Sequence, residues 1–154
     1  MTSDDDLANG VAQMRTLNRA AAEVLVANAI ASATDVTGFG LLGHGLEMAR
    51  ASGVRFIFDA ARLPALDGAL ALAAAGVETG GAAHNRRFVG PFLSTAASVP
   101  DQLVVLAHDP QTSGGLLAAV PADILGRVES DLDEARVTHW RVGSVIEGEG
   151  IELR

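Results

Sequence analysis

Two glycine-punctuated stretches, Thr34-Asp35-Val36-Thr37-Gly38-Phe39-Gly40 and Asp109-Pro110-Gln111-Thr112-Ser113-Gly114-Gly115, divide this 154-residue chain into short apolar segments whose period keeps changing. Some segments carry apolar residues at helical spacing and others alternate them, with Gly or Pro at the joints. Residues 11–30 read as one helix, with Val11, Met14, Leu17, Ala21, Val24, Leu25 and Asn28 on a single stripe and Arg19 and Glu23 paired on the back. A second helix is predicted over residues 39–51, stopped by Gly53, and a strand over 54–58. A helix opening near Pro64 covers 64–75, and 79–92 reads as the longest irregular stretch. Strands are expected at 102–107 and 116–120, a helix at 121–135, and a closing pair of strands, 137–146 and 151–153, around Gly148-Glu149-Gly150. Helices and strands mixed without clean βαβ alternation predict an α+β sandwich, a mixed sheet packed by helices. The organisation expected is a flexible leader at residues 1–10 and one domain from 11 to 154, within the size of a single domain.

Composition excludes much chemistry. Of 75 hydrophobic residues 28 are Ala, which leaves 47 larger apolar side chains, enough for a core. There is no Cys, so disulfides, zinc–thiolate sites and thiol catalysis are out of reach for this chain. All 11 basic residues are Arg; without Lys there is no Schiff base and no phosphate lysine of the Walker type. Tyr is absent as well. The net charge of −8 disfavours a nucleic-acid partner. The acidic start, Met1-Thr2-Ser3-Asp4-Asp5-Asp6, is unlike the basic opening of a secretory signal, and no run of about 18 apolar residues occurs, so the chain is expected in the cytoplasm and not in a membrane.

Two loops can carry chemistry. Asp35 is a hard oxygen donor suited to Mg²⁺, and Thr37 and Gly38 stand where a helix N-terminus can receive phosphate. The alternative is that Asp35 or Thr37 caps the helix. In the second loop Asp109, Thr112, Ser113 and Gly114 can form a concave nest of N–H donors for an anion; the alternative is a tight turn between two strands. His44 reads as a half-buried structural residue, and His84-Asn85-Arg86-Arg87 as a local basic patch on a solvated loop. His108 and His139 show no ligand spacing with the others. No HExxH, GxSxG or GxGxxG is present.

Taken together, TDVTGFGLLGH at residues 34–44 and DPQTSGGLL at 109–117 closely resemble selenophosphate synthetase (selenide, water dikinase), and MRTLNRAA at 14–21 resembles the helix leading into the same domain. The resemblance implies the C-terminal domain of that enzyme, with the sandwich fold of the aminoimidazole ribonucleotide synthetase superfamily. It further implies an enzyme that makes selenophosphate from selenide, ATP and water, releases AMP and orthophosphate, and requires Mg²⁺. In the family, nucleotide binding, most metal ligands and the catalytic Cys (or selenocysteine) and Lys belong to an N-terminal ATP-binding domain, and complete protomers pair as dimers. The Asp of the first motif is the family's Mg²⁺ ligand from the C-terminal domain and maps onto Asp35; Thr37, Gly38 and residues 109–115 are expected to line the same cleft. No catalytic residue is assigned to this chain, which is expected to be inactive alone. Gly80-Gly81-Ala82-Ala83-His84-Asn85 resembles the family's GGTxxN segment, with Ala82 in place of the usual Thr. The alternatives are another superfamily member, of hydrogenase maturation or purine synthesis, and a stand-alone assembly module without turnover. The face toward the missing domain is expected to carry unmatched apolar surface.

Overall fold

The computed structural model describes residues 3–154, which form seven α-helices and six strands. Helix α1 (Asp4–Arg15) starts from a capping box in which Ser3 and Asp6 exchange side-chain and main-chain hydrogen bonds, so most of the expected leader is helical. The leader's first two residues lie outside the described residues. The single helix expected over 11–30 is broken: Thr16 is extended (φ −74°, ψ 124°), and α2 (Arg19–Ala27) begins after Asn18. Asn18 turns its side chain to the Gly114 carbonyl at 3.0 Å, a long-range bond that no local pattern announces. Of the predicted stripe, Leu25 and Asn28 are buried, whereas Val11, Met14 and Leu17 are exposed.

The short strand β1 (Ala33–Asp35) precedes α3 (Gly40–Ser52), which ends where Gly53 adopts the left-handed conformation. Strand β2 (Val54–Phe58) follows, with Phe56, Ile57 and Phe58 all buried, so both of its faces are covered at this end. Helix α4 spans only Ala69–Ala74, starting after Gly68 at φ 78°. Residues Gly80–Val89 form helix α5 in place of the expected irregular stretch; Ala82, Asn85 and Val89 recur at helical spacing on its buried face. Strand β3 (Leu93–Thr95) leads to α6 (Asp101–His108), where a strand was predicted. An apolar run as short as Leu103-Val104-Val105-Leu106 does not by period distinguish strand from buried helix, and here packing against α3, α4 and α5 decides. Strand β4 (Leu116–Ala118), α7 (Leu125–Glu134), β5 (Gly143–Glu147) and β6 (Ile151–Leu153) complete the chain.

The strands form two sheets. β1 and β4 pair antiparallel, Asp35 opposite Leu116. The other four run in the order β3-β6-β2-β5, with β6 parallel to both β3 and β2 and β5 antiparallel to β2. The expected closing pair is therefore split, since β2 lies between β5 and β6 and the turn at Gly148–Gly150 crosses over it. The main core lies between α3 (Leu42, Leu46, Ala49) and one face of the larger sheet (Phe56, Phe58, Ile151, Leu153), closed by Val89 of α5 and Leu117 of β4. A smaller core joins Leu25 of α2 to Val128 and Leu132 of α7. A mixed sheet packed by helices is the α+β architecture expected. No helix among the described residues is long and apolar enough to cross a membrane.

Candidate functional site

β1 leads into the first glycine-rich loop and β4 leads out of the second, so pairing the strands brings the loops together. Beyond Asp35 the pairing continues as loop-to-loop bonds. The Val36 amide donates to the Gly115 carbonyl at 2.9 Å, the Gly114 amide to the Val36 carbonyl at 3.1 Å, and the Gln111 amide to the Thr37 carbonyl at 3.0 Å. Gly114 passes so close that a Cβ there would overlap the carbonyl oxygen of Val36. Gly40 sits at φ 66°, and a Cβ on it would stand 2.9 Å from the His108 carbonyl. Both positions need glycine, the first for space and the second for space and conformation. Two stretches far apart in sequence thus form one seam.

Asp35 stands at the end of β1 and is exposed. Neither Asp35 nor Thr37 caps α3: its N-cap is Phe39, with no side-chain bond to the helix amides. Thr37 instead shares a hydrogen bond with His44 Nε2 at 3.1 Å, and the Phe39 ring lies 5.4 Å from the His44 imidazole. His44 is half-buried, as expected, with a polar partner that periodicity did not reveal. Gly38 is exposed, and its carbonyl accepts from Asn85.

The second loop connects a helix to a strand, not two strands. The carboxylate of Asp109 accepts from the Thr79 hydroxyl at 2.9 Å and from Gln111 Nε2 at 3.3 Å, so it is engaged within the fold, unlike Asp35. The expected N–H nest is narrowed, because the amides of Gln111 and Gly114 are spent on the first loop. Thr112 is exposed at the tip, with Ser113 half-buried beside it. His108 is buried at the end of α6, and Nδ1 donates to the Val104 carbonyl at 2.8 Å. Burial pushes its imidazole below the ordinary value, against the Val104 carbonyl, which favours the charged form.

His84 and Arg87 are exposed on α5, but Asn85 between them is buried, and Arg86 pairs with Glu78 at 2.9 Å, so the basic patch is not one continuous solvated surface. Asn85, Asn18 and Thr79 are the residues that sequence reasoning left without a role here. For Asn85 the available signal was its helical spacing with Ala82 and Val89; Asn18 and Thr79 carried none. Among the described residues no group of three or more His, Asp or Glu side chains gathers as a metal site. Asp35, exposed and without an internal partner, fits Mg²⁺ as one contributed ligand, since this ion takes one or two carboxylates and completes its shell with phosphates and water.

Residues 3–154 match the family described as "AIR synthase related protein, C-terminal domain", and the chain belongs to that family. Its relatives include several selenide, water dikinases, which bears out the resemblance to the C-terminal domain of selenophosphate synthetase. The chain is 43% identical over 136 residues to that of Nitratidesulfovibrio vulgaris (strain DP4), covering 88% of this chain and 39% of the relative. It is 44% identical over 112 residues to that of Pseudomonas straminea, covering 73% and 31%, and 45% identical over 122 residues to that of Porphyromonas gingivalis (strain ATCC 33277), covering 79% and 34%. The chain spans well under half the length of these relatives. The crystal structure of tt0281 from Thermus thermophilus shares the fold, at 20% identity and a TM-score of 0.50, over 85% of this chain and 34% of that one.

Proposed function

We propose that this chain is the C-terminal domain of a selenide, water dikinase, and that it completes an Mg²⁺–ATP site whose remaining parts belong to an N-terminal ATP-binding domain. The reaction is the conversion of selenide, ATP and water to selenophosphate, AMP and orthophosphate. The observation that carries this reading is the seam itself: it holds the exposed carboxylate of Asp35 at the edge where the loop of residues 109–115 crosses residues 34–40. Phosphoryl transfer is mostly positioning and charge neutralisation, so a domain can contribute to it without a nucleophile.

Asp35 is the ligand this chain offers to the metal, and bound Mg²⁺ supplies neutralisation of charge on the phosphate oxygens. The tip residues Thr112 and Ser113, and Thr37 held by His44, would contact the polyphosphate; the first amide of α3, at Gly40, is already bonded to the Thr37 carbonyl. Asp109 shapes its loop through Thr79. The absence of Cys and Lys from the chain agrees with a half-site whose reactive groups lie elsewhere. The exposed apolar residues of α1 and its connection, Leu7, Val11, Met14 and Leu17, are the face we assign to the N-terminal domain; the complete protein pairs as a homodimer.

The test compares AMP formation by the chain alone with that of the chain joined to the N-terminal part of the Nitratidesulfovibrio vulgaris enzyme, with selenide and Mg²⁺–ATP. Activity is expected only in the joined protein, and the free chain is expected to lack sub-millimolar affinity for Mg²⁺–ATP by calorimetry. Turnover by the chain alone would overturn the reading.

A further inference from the structure

We propose that Asn85 is a positioning residue: from the buried face of α5 it clamps the two loops of the candidate site to each other. Its side chain is 2% exposed. The amide nitrogen donates to the Gly38 carbonyl at 3.0 Å and to the His108 carbonyl at 2.9 Å. Gly38 lies in the first loop, and His108 is the last residue of α6, from which the second loop departs. Both acceptors are carbonyl oxygens, so the orientation of the amide is fixed and both of its protons are used. Among the described residues neither carbonyl accepts a main-chain hydrogen bond, which leaves Asn85 as the partner of both.

The same helix meets the second loop at two further points. Thr79 donates to Asp109, and Gly81 packs under the ring of Pro110, whose Cγ lies 2.5 Å from where a Cβ on Gly81 would stand. Among the described residues Asn85 makes the first loop's one hydrogen bond to α5, beside the contact of the Phe39 and Phe88 rings at 5.9 Å. Losing that side chain therefore releases the Gly38 main chain from α5, with the Phe39–Phe88 contact left, while α5 keeps both of its other holds on the second loop. The bonds between the loops, Gln111 to Thr37 and Gly114 to Val36, then bear a misalignment they do not bear now. The buried His108 carbonyl, left without a donor, adds to the cost. That the clamp serves a reaction rests on the function proposed above; that it holds the loops does not.

Native-state hydrogen exchange on the 154-residue chain separates the clamp from ordinary core packing, because local opening and global unfolding move different amides. Asn85→Asp sets a carboxylate against two carbonyl oxygens. The amides of Gly40, Gln111 and Gly114 are expected to exchange about tenfold faster or more, the size of one lost buried hydrogen bond, relative to any change at Phe56 in the larger sheet and at Ala60 and Arg154 at its end. Val89→Ala, on the same face of α5 but with no side-chain donor for either carbonyl, is expected to change both sets by one common factor. Where Asn85→Asp does not fold, Asn85→Ser replaces it with the same expectation. Equal factors for loop and sheet amides in the Asn85 variant, or unchanged loop amides, would overturn the clamp. Exchange is read without turnover, so failure of the selenide, water dikinase reading would leave this result standing.

Discussion

Helix α1 and the seam between the loops are both made of short, polar, glycine-containing sequence, yet they are held in different ways. α1 buries no residue; it owes its start to the Ser3–Asp6 capping box and its acidic first turn, and it leaves Leu7, Val11 and Met14 exposed along one stripe. The seam has few apolar contacts of its own. It is fixed by main-chain bonds between the loops, by two glycines with no room for a side chain, and by a buried amide from α5. Local signals build the helix, and long-range main-chain contact builds the site. A region of the first kind can lose its interactions without disturbing the rest, and a region of the second kind cannot.

Substitutions break this comparison at different strengths. The largest effect on stability is expected from Gly114→Ala, whose Cβ has no space beside the Val36 carbonyl: about 3 kcal/mol or more, read from urea unfolding. A smaller, pH-dependent effect is expected at His108. Its folded-state pKa is depressed, so the unfolded chain binds the proton more readily; stability is full above about pH 6.5 and falls as the pH drops through that value toward the lower folded-state pKa. His108→Asn keeps a donor for the Val104 carbonyl and removes the titration, so the thermal midpoint of the unmodified chain should fall more steeply than that of the variant between about pH 7 and about pH 5. Equal slopes would mean that the buried imidazole is not the group responsible. The smallest effect is expected from Ser3→Ala, which removes the capping box: amides in the first turn of α1 lose protection while the global unfolding midpoint stays unchanged. A lowered midpoint would show that α1 is coupled to the core after all.

The same contrast explains what could be read from the sequence. α3 and β2 were legible because their period is strong and Gly53 closes the helix between them. Both loops, with Asp35, Thr37, Asp109 and Thr112 to Gly114, were legible as glycine-rich motifs. Their mutual bonding was not, because the bonds join main-chain atoms of residues far apart in the chain. α5 was hidden by Gly80, Gly81 and Gly90, whose turn chemistry outweighed the spacing of Ala82, Asn85 and Val89. α6 was read as a strand because four adjacent apolar residues have no period of their own. β5 and β6 looked like a hairpin because Gly148 and Gly150 favour a turn, whereas the insertion of β2 between them is a non-local outcome. What escaped the sequence was in each case decided by packing between distant segments.

The most direct test of the proposed function is an Mg²⁺ titration of selenide-dependent AMP formation by the chain joined to the N-terminal part of the Nitratidesulfovibrio vulgaris enzyme, comparing Asp35→Asn with the unmodified protein. Asp35 is exposed and makes no side-chain contact the fold depends on, so the substitution should leave the thermal midpoint in place. Activity should fall on the order of a hundredfold, with more Mg²⁺ needed to recover part of it, as expected for loss of a metal ligand. Undiminished AMP formation by Asp35→Asn at the same Mg²⁺ concentration would contradict the assignment of Asp35 and, with it, the role given to the seam.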